Sequence, residues 1–247
     1  KERVLSEVRR PFRQPVYGVR GGRAMFATGA RIDRAAWHGF VGSRNLAEEF
    51  PGVRGFGVIE RVPRGEADRF LPERRPDGQP DYALHGVTGG DPGADLYVIK
   101  FVEPQETNRS ALGPDAGSEP TRRLAIEQAV RTGQPTLSAR LALVQDKDQG
   151  AGFLYMVPVY GTGAVPATPA QREAALTALI YAPIVASELL DGTLDSIDAQ
   201  LVFSLFDGVE QPEHLVFAAG KPLAPSPADR LAWRPLPVME PSLDSLL

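Results

Sequence analysis

The chain has 247 residues, 43% hydrophobic and 23% charged, with a formal net charge of -4. Its 27 basic and 31 acidic side chains are scattered rather than blocked, so no footprint for nucleic acid or a membrane surface is drawn, and small molecules or other proteins are the expected partners. Cysteine is absent, which removes disulfides, thiolate metal sites and cysteine nucleophiles together. No run approaches the roughly 18 apolar residues that a membrane span needs, and the segment from Lys1 lacks a signal-peptide core. A soluble chain is expected; an ectodomain trimmed between two spans would look like this, and so would any soluble protein.

Residues 1–27 place Val4, Leu5, Val8, Phe12, Val16, Val19 and Phe26 at spacings near three and four, the pattern of a helical stripe. Pro11 and Pro15 each remove a backbone donor, so a kinked helical stalk is expected. A second helix is expected from Asp33, a good N-cap, through Trp37, Phe40, Val41 and Leu46, ending before Pro51-Gly52. From Val53 short strand-like runs begin, broken by a polar, Pro-rich insertion around Glu73–Pro80 that reads as a surface loop. Leu96–Val102 is the next strand. Ser118, Glu119 and Pro120 open a helix with Leu124, Ile126, Ala129 and Val130 as its apolar positions and Gly133 as its stop.

Leu137, Ala139, Leu141 and Leu143 then alternate with Thr136, Ser138, Arg140 and Ala142, as a half-buried strand does. Phe153–Tyr160 is expected to pair with it across the turn 146–150. The Gly/Pro/Ala/Thr-rich bridge Gly161–Pro169 reads as a domain boundary. Beyond it come an apolar run at Ala174–Tyr181, a short helix at Pro183–Leu190, strands at Ala199–Phe206 and His214–Ala219, and an edge strand at Leu231–Met239 limited by Pro235 and Pro237. The fold class expected is α+β, as two small units in series, because the long regular crossovers of a parallel sheet are missing.

Between residues 97 and 160 a fixed order of landmarks stands out: the strand Tyr97–Val102, Glu103-Pro104, Asn108, Gly113-Pro114-Asp115, Arg122-Arg123, Thr132-Gly133-Gln134-Pro135, and Pro158-Val159-Tyr160. Phe50-Pro51-Gly52-Val53 upstream and Tyr181-Ala182-Pro183 downstream extend it. This order resembles the CHASE family, extracytoplasmic sensor domains of histidine kinases and diguanylate cyclases that are similar to the sensor domains of plant cytokinin receptors. The resemblance implies N-terminal stalk helices (residues 1–50) followed by two PAS-like modules in tandem, a membrane-distal ligand-binding one (51–160) and a membrane-proximal one (161–247). It also implies a homodimer through the stalk, flanking transmembrane helices in the full-length protein, a periplasmic location at the inner membrane, and signalling to a cytoplasmic kinase or cyclase. No cofactor and no catalysis by the domain itself are expected.

In the cytokinin receptors a pocket Asp and a strand Thr contact the ligand; the Thr position falls here on Ser138 and the Asp position on Pro104, which cannot replace it. Glu103 is adjacent, but neighbouring strand residues point to opposite faces. Ser138, Thr136 and Arg140 share one strand face and are ligand-donor candidates if that face lines the distal pocket, and ordinary polar residues if it faces solvent. Tyr97, Ile99, Phe101, Phe153 and Tyr155 are candidates for an apolar pocket wall, or simply core. Asp115, just before a helix start, reads first as a loop-fixing carboxylate and second as a ligand contact. Asn108 reads as a residue that bonds neighbouring backbone.

Enzymatic and metal motifs are weak. The three histidines, His38, His85 and His214, lack any metal-binding spacing. Gly52–Gly57 leads into a strand rather than opening a helix, unlike a nucleotide loop. Asp146, Asp148 and Gly150 start like a calcium loop, but Val157 stands where the bidentate carboxylate belongs. A ligand-free dimerisation module, or a periplasmic hydrolase using carboxylates such as Glu60 and Asp115, stand as the alternatives to a sensor.

Overall fold

The computed structural model describes residues 2–27, 32–67, 93–113, 115–143, 151–161, 163–191 and 203–219. The Pro-rich insertion, the turn 146–150 and the strand expected at Leu231–Met239 lie outside them.

Helix α1 (Glu2–Ala27) runs through Pro11 and Pro15 without a break. Each proline forfeits a helix hydrogen bond, so propensity alone argues for interruption. Packing overrules it: Val8, Phe12, Pro15, Val19 and Gly22 are all buried, spaced four and three apart so that one stripe lies on the sheet. Helix α2 (Arg34–Gly42) starts at the Asp33 cap as expected, its carboxylate accepting from the Ala36 N–H at 2.8 Å. It does not continue to Leu46. The chain turns at Ser43 and restarts as α3 (Leu46–Glu49), where the Glu49 carboxylate accepts from the Asn45 N–H at 2.9 Å.

Five antiparallel strands form the central sheet: β1 (Phe56–Val62), β2 (Leu96–Glu103), β3 (Thr136–Leu137), β4 (Gly152–Tyr160) and β5 (Leu176–Val185), in the spatial order β2-β1-β5-β4-β3. Strand β5 lies at the centre, pairing with β1 on one side and β4 on the other. The boundary expected at residues 160–161 therefore cuts through one structural unit, since Leu176–Val185 centres the sheet assigned to the first module. Pro183, expected to open a helix, lies inside β5 opposite Leu154, and the helix that follows, α7 (Ala186–Leu189), is a single turn.

Helices cover the sheet on both faces. Helix α1, with Trp37 and Val41 of α2, packs on Phe56, Val58, Phe153, Tyr155, Val157, Ile180 and Ile184. Helix α5 (Pro120–Thr132) lays Ala125, Ile126, Ala129 and Val130 on Ile59, Ile99, Leu154, Met156 and Leu179. Leu124, expected in that apolar stripe, is 68% exposed, and Ala125 holds the core position instead.

Each end of α5 is chemically fixed. Glu119 caps its start, its two oxygens accepting from the Thr121 and Arg122 N–H groups at 2.9 Å each, while Ser118 closes the short 3-10 turn just before it. Gly133 ends the helix at φ +72°. Three of the last-turn carbonyls are claimed: Ala129 by the Gly133 N–H, Val130 by the Tyr160 hydroxyl, and Arg131 by Arg172. Arg172 belongs to α6 (Pro169–Ala175), which Thr168 and Gln171 open with a capping box.

A separate two-stranded antiparallel sheet, β6 (Phe203–Phe206) with β7 (Leu215–Ala219), is the part of the second expected module that is described outside the central unit. The Asp207 carboxylate accepts from the Arg140 N–H at 2.6 Å, and Val216 joins the α1-side core.

Candidate functional site

Strand β2 sets the geometry of the α5 face. Its register with β1 shifts by one, Val58 lying opposite Phe101 and Ile59 opposite Ile99, so Lys100 is an extra residue in a bulge. Strict alternation puts Tyr97, Ile99 and Phe101 on one face. The bulge breaks it: Tyr97 and Ile99 join the α5-side core, while Phe101 turns to the α1 side. Phe101 is thus removed from the expected pocket wall, as are Phe153 and Tyr155, which also face α1.

Asp115 stands at the edge of the α5 face and is 2% exposed. One carboxylate oxygen accepts from the Tyr97 N–H at 2.8 Å and the Gly117 N–H at 2.9 Å, tying the loop to β2. Its second oxygen, Oδ2, is buried with no hydrogen-bond partner. Arg123 stacks over the Tyr97 ring at 5.6 Å and donates to the Gly117 carbonyl at 2.6 Å. Burial pushes the Tyr97 phenol pKa up, with Arg61 and Arg123 pulling the other way. Tyr97, Ile99 and Asp115 are therefore brought together.

The polar trio on the expected third strand is not. The strand stops at Leu137: Leu137 packs on the α1 side, whereas Leu141 and Leu143 pack on the α5 side, so the face changes across 138–140. Ser138 is buried, and its hydroxyl donates to the Ala139 carbonyl and accepts from the Leu154 N–H, both at 2.9 Å. It stitches the edge of the sheet. Arg140 is exposed, held by its backbone to Asp207. Thr136 is buried and lies at the β3 edge, its hydroxyl 3.3 Å from the Gln134 carbonyl.

Thr136 and Tyr155 meet at a different place, a groove of about 730 Å³ between α1, the C-terminal turns of α5 and β3, lined also by Arg13, Val16, Tyr17, Arg20, Gln128, Thr132, Gln134 and Pro135. Sequence reading missed its arginines. The signal was available in retrospect: Arg13 and Arg20 are seven residues apart, two helical turns, on the same side of the stalk.

The landmarks around Glu103 are scaffold. Asn108 is fully buried, and its amide donates to the carbonyls of Arg54 and Pro104 at 2.9 and 2.8 Å, as the backbone-bonding reading expects. Glu103, joined to Pro104 by a cis peptide bond, turns to α2, where His38 lies 3.1 Å from its carboxylate and Arg34 3.9 Å. It does not reach the α5 face in place of the missing acid. Glu60 is paired with Lys100 at 2.6 Å, so it and Asp115 are separately engaged, and no group of three His, Cys, Asp or Glu residues that could hold a metal occurs among the described residues.

The five-stranded sheet and the ordered set of landmarks coincide with a family match: the model of the CHASE domain aligns with residues 30–217, α1 lying before the matched stretch. The chain belongs to the CHASE domain family. As a CHASE domain it is an extracytoplasmic sensory domain, of mixed helices and antiparallel sheet with a long N-terminal helix. Among solved structures it is similar to an extracellular ligand binding receptor from Desulfohalobium retbaense DSM5692, with 14% identity and a TM-score of 0.49 over 88% of this chain. The chain spans 32% of the length of that structure. No curated protein matches it. No helix among the described residues of this CHASE domain is long and apolar enough to cross a membrane.

Proposed function

We propose that this CHASE domain receives a small-molecule ligand on the α5 face of the sheet and passes the signal through α1 to a cytoplasmic histidine kinase or diguanylate cyclase output, the chain being one ectodomain of a membrane-anchored homodimer. The sheet with its two helical layers serves as the membrane-distal PAS-like module, and the β6–β7 unit belongs to the proximal one. The observation that carries the ligand reading is the buried Asp115 Oδ2, which has no hydrogen-bond partner although its twin oxygen has two. A buried carboxylate oxygen left unmatched costs stability, and a ligand N–H or O–H would recover it. Tyr97 and Ile99 beside it supply apolar wall, which suits a nitrogenous or hydroxylated compound more than an anion.

The route to the output is mechanical. Helix α1 packs on the reverse side of the same strands β4 and β5, so a shift of the sheet on ligand entry is felt by the stalk. Driving such a two-state device from mostly off to mostly on takes about 5.5 kcal/mol of differential binding. The test is a thermal-shift screen of the chain with nucleobases, amino acids and carboxylates, followed by the same screen on Asp115→Asn. A compound that raises Tm for the wild type and loses most of its effect in Asp115→Asn supports the reading. If no compound raises Tm, the ligand-free dimerisation module replaces it.

A further inference from the structure

We propose that the groove between the stalk helix and the β3 edge is a second site, one that binds a small organic oxyanion headed by a carboxylate or phosphate. It goes beyond the α5-face reading and lies on the opposite, α1 side of the sheet. Two independent observations point to it.

The first is charge. The lining residues include two cations, Arg13 and Arg20, and no Asp or Glu. Neither arginine has a carboxylate partner among the described residues, whereas arginines elsewhere do, as Arg44 with Glu49 and Arg61 with Asp95 show. Their Cα atoms are about 10 Å apart along the helix, so the two guanidiniums can close on one oxyanion or hold the two ends of a dianion. The neighbouring end of α5 opposes an anion less than a bare helix C-terminus would, because three of its last four carbonyls are claimed by Gly133, Tyr160 and Arg172.

The second is an orphan donor. Tyr155 is 0% exposed and its ring belongs to the α1-side core, yet the residue lines the groove and its buried hydroxyl has no hydrogen-bond partner. Buried tyrosines ordinarily find one. Burial pushes its pKa upward, so it stays a protonated donor at every physiological pH, and the charge of Arg20 acts directly on it. A bound oxyanion would accept from the Tyr155 hydroxyl at the floor and from Arg13 and Arg20 at the mouth, with Thr136 and Gln134 at the side. The volume of about 730 Å³ exceeds a lone phosphate and fits a metabolite with an organic body against Val16 and Pro135. Because three of these contacts are on the stalk helix, occupancy there would bias the stalk directly.

The experiment measures Tm and calorimetric Kd of the chain with succinate, citrate, glycerol 3-phosphate and inorganic phosphate, each against sodium chloride of equal ionic strength. At least one organic anion is expected to raise Tm by about 2 °C or more at 10 mM beyond the salt control. The succinate and glycerol 3-phosphate arms separate a carboxylate head from a phosphate head. Arg13→Gln/Arg20→Gln is expected to weaken binding about tenfold or more, and Tyr155→Phe severalfold with the unliganded Tm unchanged. Asp115→Asn is expected to leave the anion response intact, which separates this site from the one on the α5 face. No anion-specific rise in the wild type, or an arginine double variant that binds within twofold of wild type, overturns the proposal.

Discussion

The two faces of the central sheet are closed by different means. On the α1 side the contacts are aromatic and close: a Cβ added at Gly18 would clash with the edge of the Phe56 ring, and one at Gly22 would press on Trp37. Trp37 is fully buried and donates its indole N–H to the Phe56 carbonyl at 3.1 Å. On the α5 side the helix contributes two alanines, one isoleucine and one valine, and polar groups reach the core margin, namely Asp115, the Tyr160 hydroxyl and Arg123 over Tyr97. The first face is closed by ring packing against the stalk, and the second leaves polar groups at its margin, where the proposed ligand would be read. At the groove beside the β3 edge the tight face opens onto polar groups.

The sharpest way to break that contrast is Trp37→Ala. It leaves a large cavity beneath α1 and strands the Phe56 carbonyl, so a loss of about 3–5 kcal/mol is expected in urea unfolding. A loss below about 1 kcal/mol would mean that α1 and α2 are not welded to the sheet. Next comes Asp115→Ala on the other face. It abandons the Tyr97 and Gly117 N–H groups, a loss of about 2 kcal/mol. Asp115→Asn keeps an acceptor and is expected to restore most of that stability, so a variant that folds well but no longer responds to ligand separates scaffold from recognition. If Asn is as damaging as Ala, the negative charge itself holds the loop.

A smaller effect tests how α5 is anchored. Burial raises the Glu119 pKa and is the largest single influence, but the Thr121 and Arg122 N–H groups and the Arg122 charge together outweigh it, and the net shift is downward. A lowered folded pKa means stability that is present above the ordinary value of 4.5 and is lost as pH falls through the folded value. Glu119→Ala is therefore expected to cost about 1 kcal/mol at pH 7, and the gap from wild type should close toward pH 3. A gap that stays constant from pH 7 to 3 would show that the cap acts through packing rather than charge.

Much of the scaffold was legible from local chemistry, and the reasons it was legible are the reasons the rest was not. Asp33 and Gly133 mark helix ends because an N-cap oxygen and a left-handed φ are local requirements. Long β4 and the order of landmarks from Tyr97 to Tyr160 were readable for the same reason. The Lys100 bulge was not, since a one-residue slip depends on the partner strand, and it moved Phe101 to the opposite face from Ile99. Nor was the place of β5: an apolar run names a strand without naming its neighbours, and only the tertiary pairing puts Leu176–Val185 between β1 and β4. Pro11 and Pro15 signalled their helix cost locally, while the burial of Phe12 and Val19 that keeps the helix continuous through them is not visible locally. At the candidate sites, Ser138 offered the right hydroxyl, which the structure shows spent on Ala139 and Leu154. Asp115 was readable in its structural role, and the unmatched Oδ2 emerged only from its surroundings.

The smallest expected effect is also the cleanest comparison of the faces, because it uses two tyrosines of one strand. Tyr160 on the α5 face donates to the Val130 carbonyl at 3.1 Å, whereas the Tyr155 hydroxyl on the α1 face has no partner. Removing a made hydrogen bond costs about 1 kcal/mol, so Tyr160→Phe is expected to lose that much; removing an unmade one is close to neutral, so Tyr155→Phe is expected within about 0.5 kcal/mol of wild type without ligand. Burial is the leading cause of a raised pKa for both phenols, opposed by Arg20 for Tyr155 and by Arg172 and Arg23 for Tyr160. A raised folded pKa means that stability is intact below the ordinary value of 10.0 and is lost as pH climbs toward the folded value. Tyr155→Phe, near neutral at pH 7, is therefore expected to become stabilising relative to wild type between pH 10 and 11. Chemical denaturation at pH 7 and pH 10.5 checks both halves, and a Tyr155→Phe loss of more than about 1 kcal/mol at pH 7 would mean that the hydroxyl already has a partner and that the groove has no donor to offer.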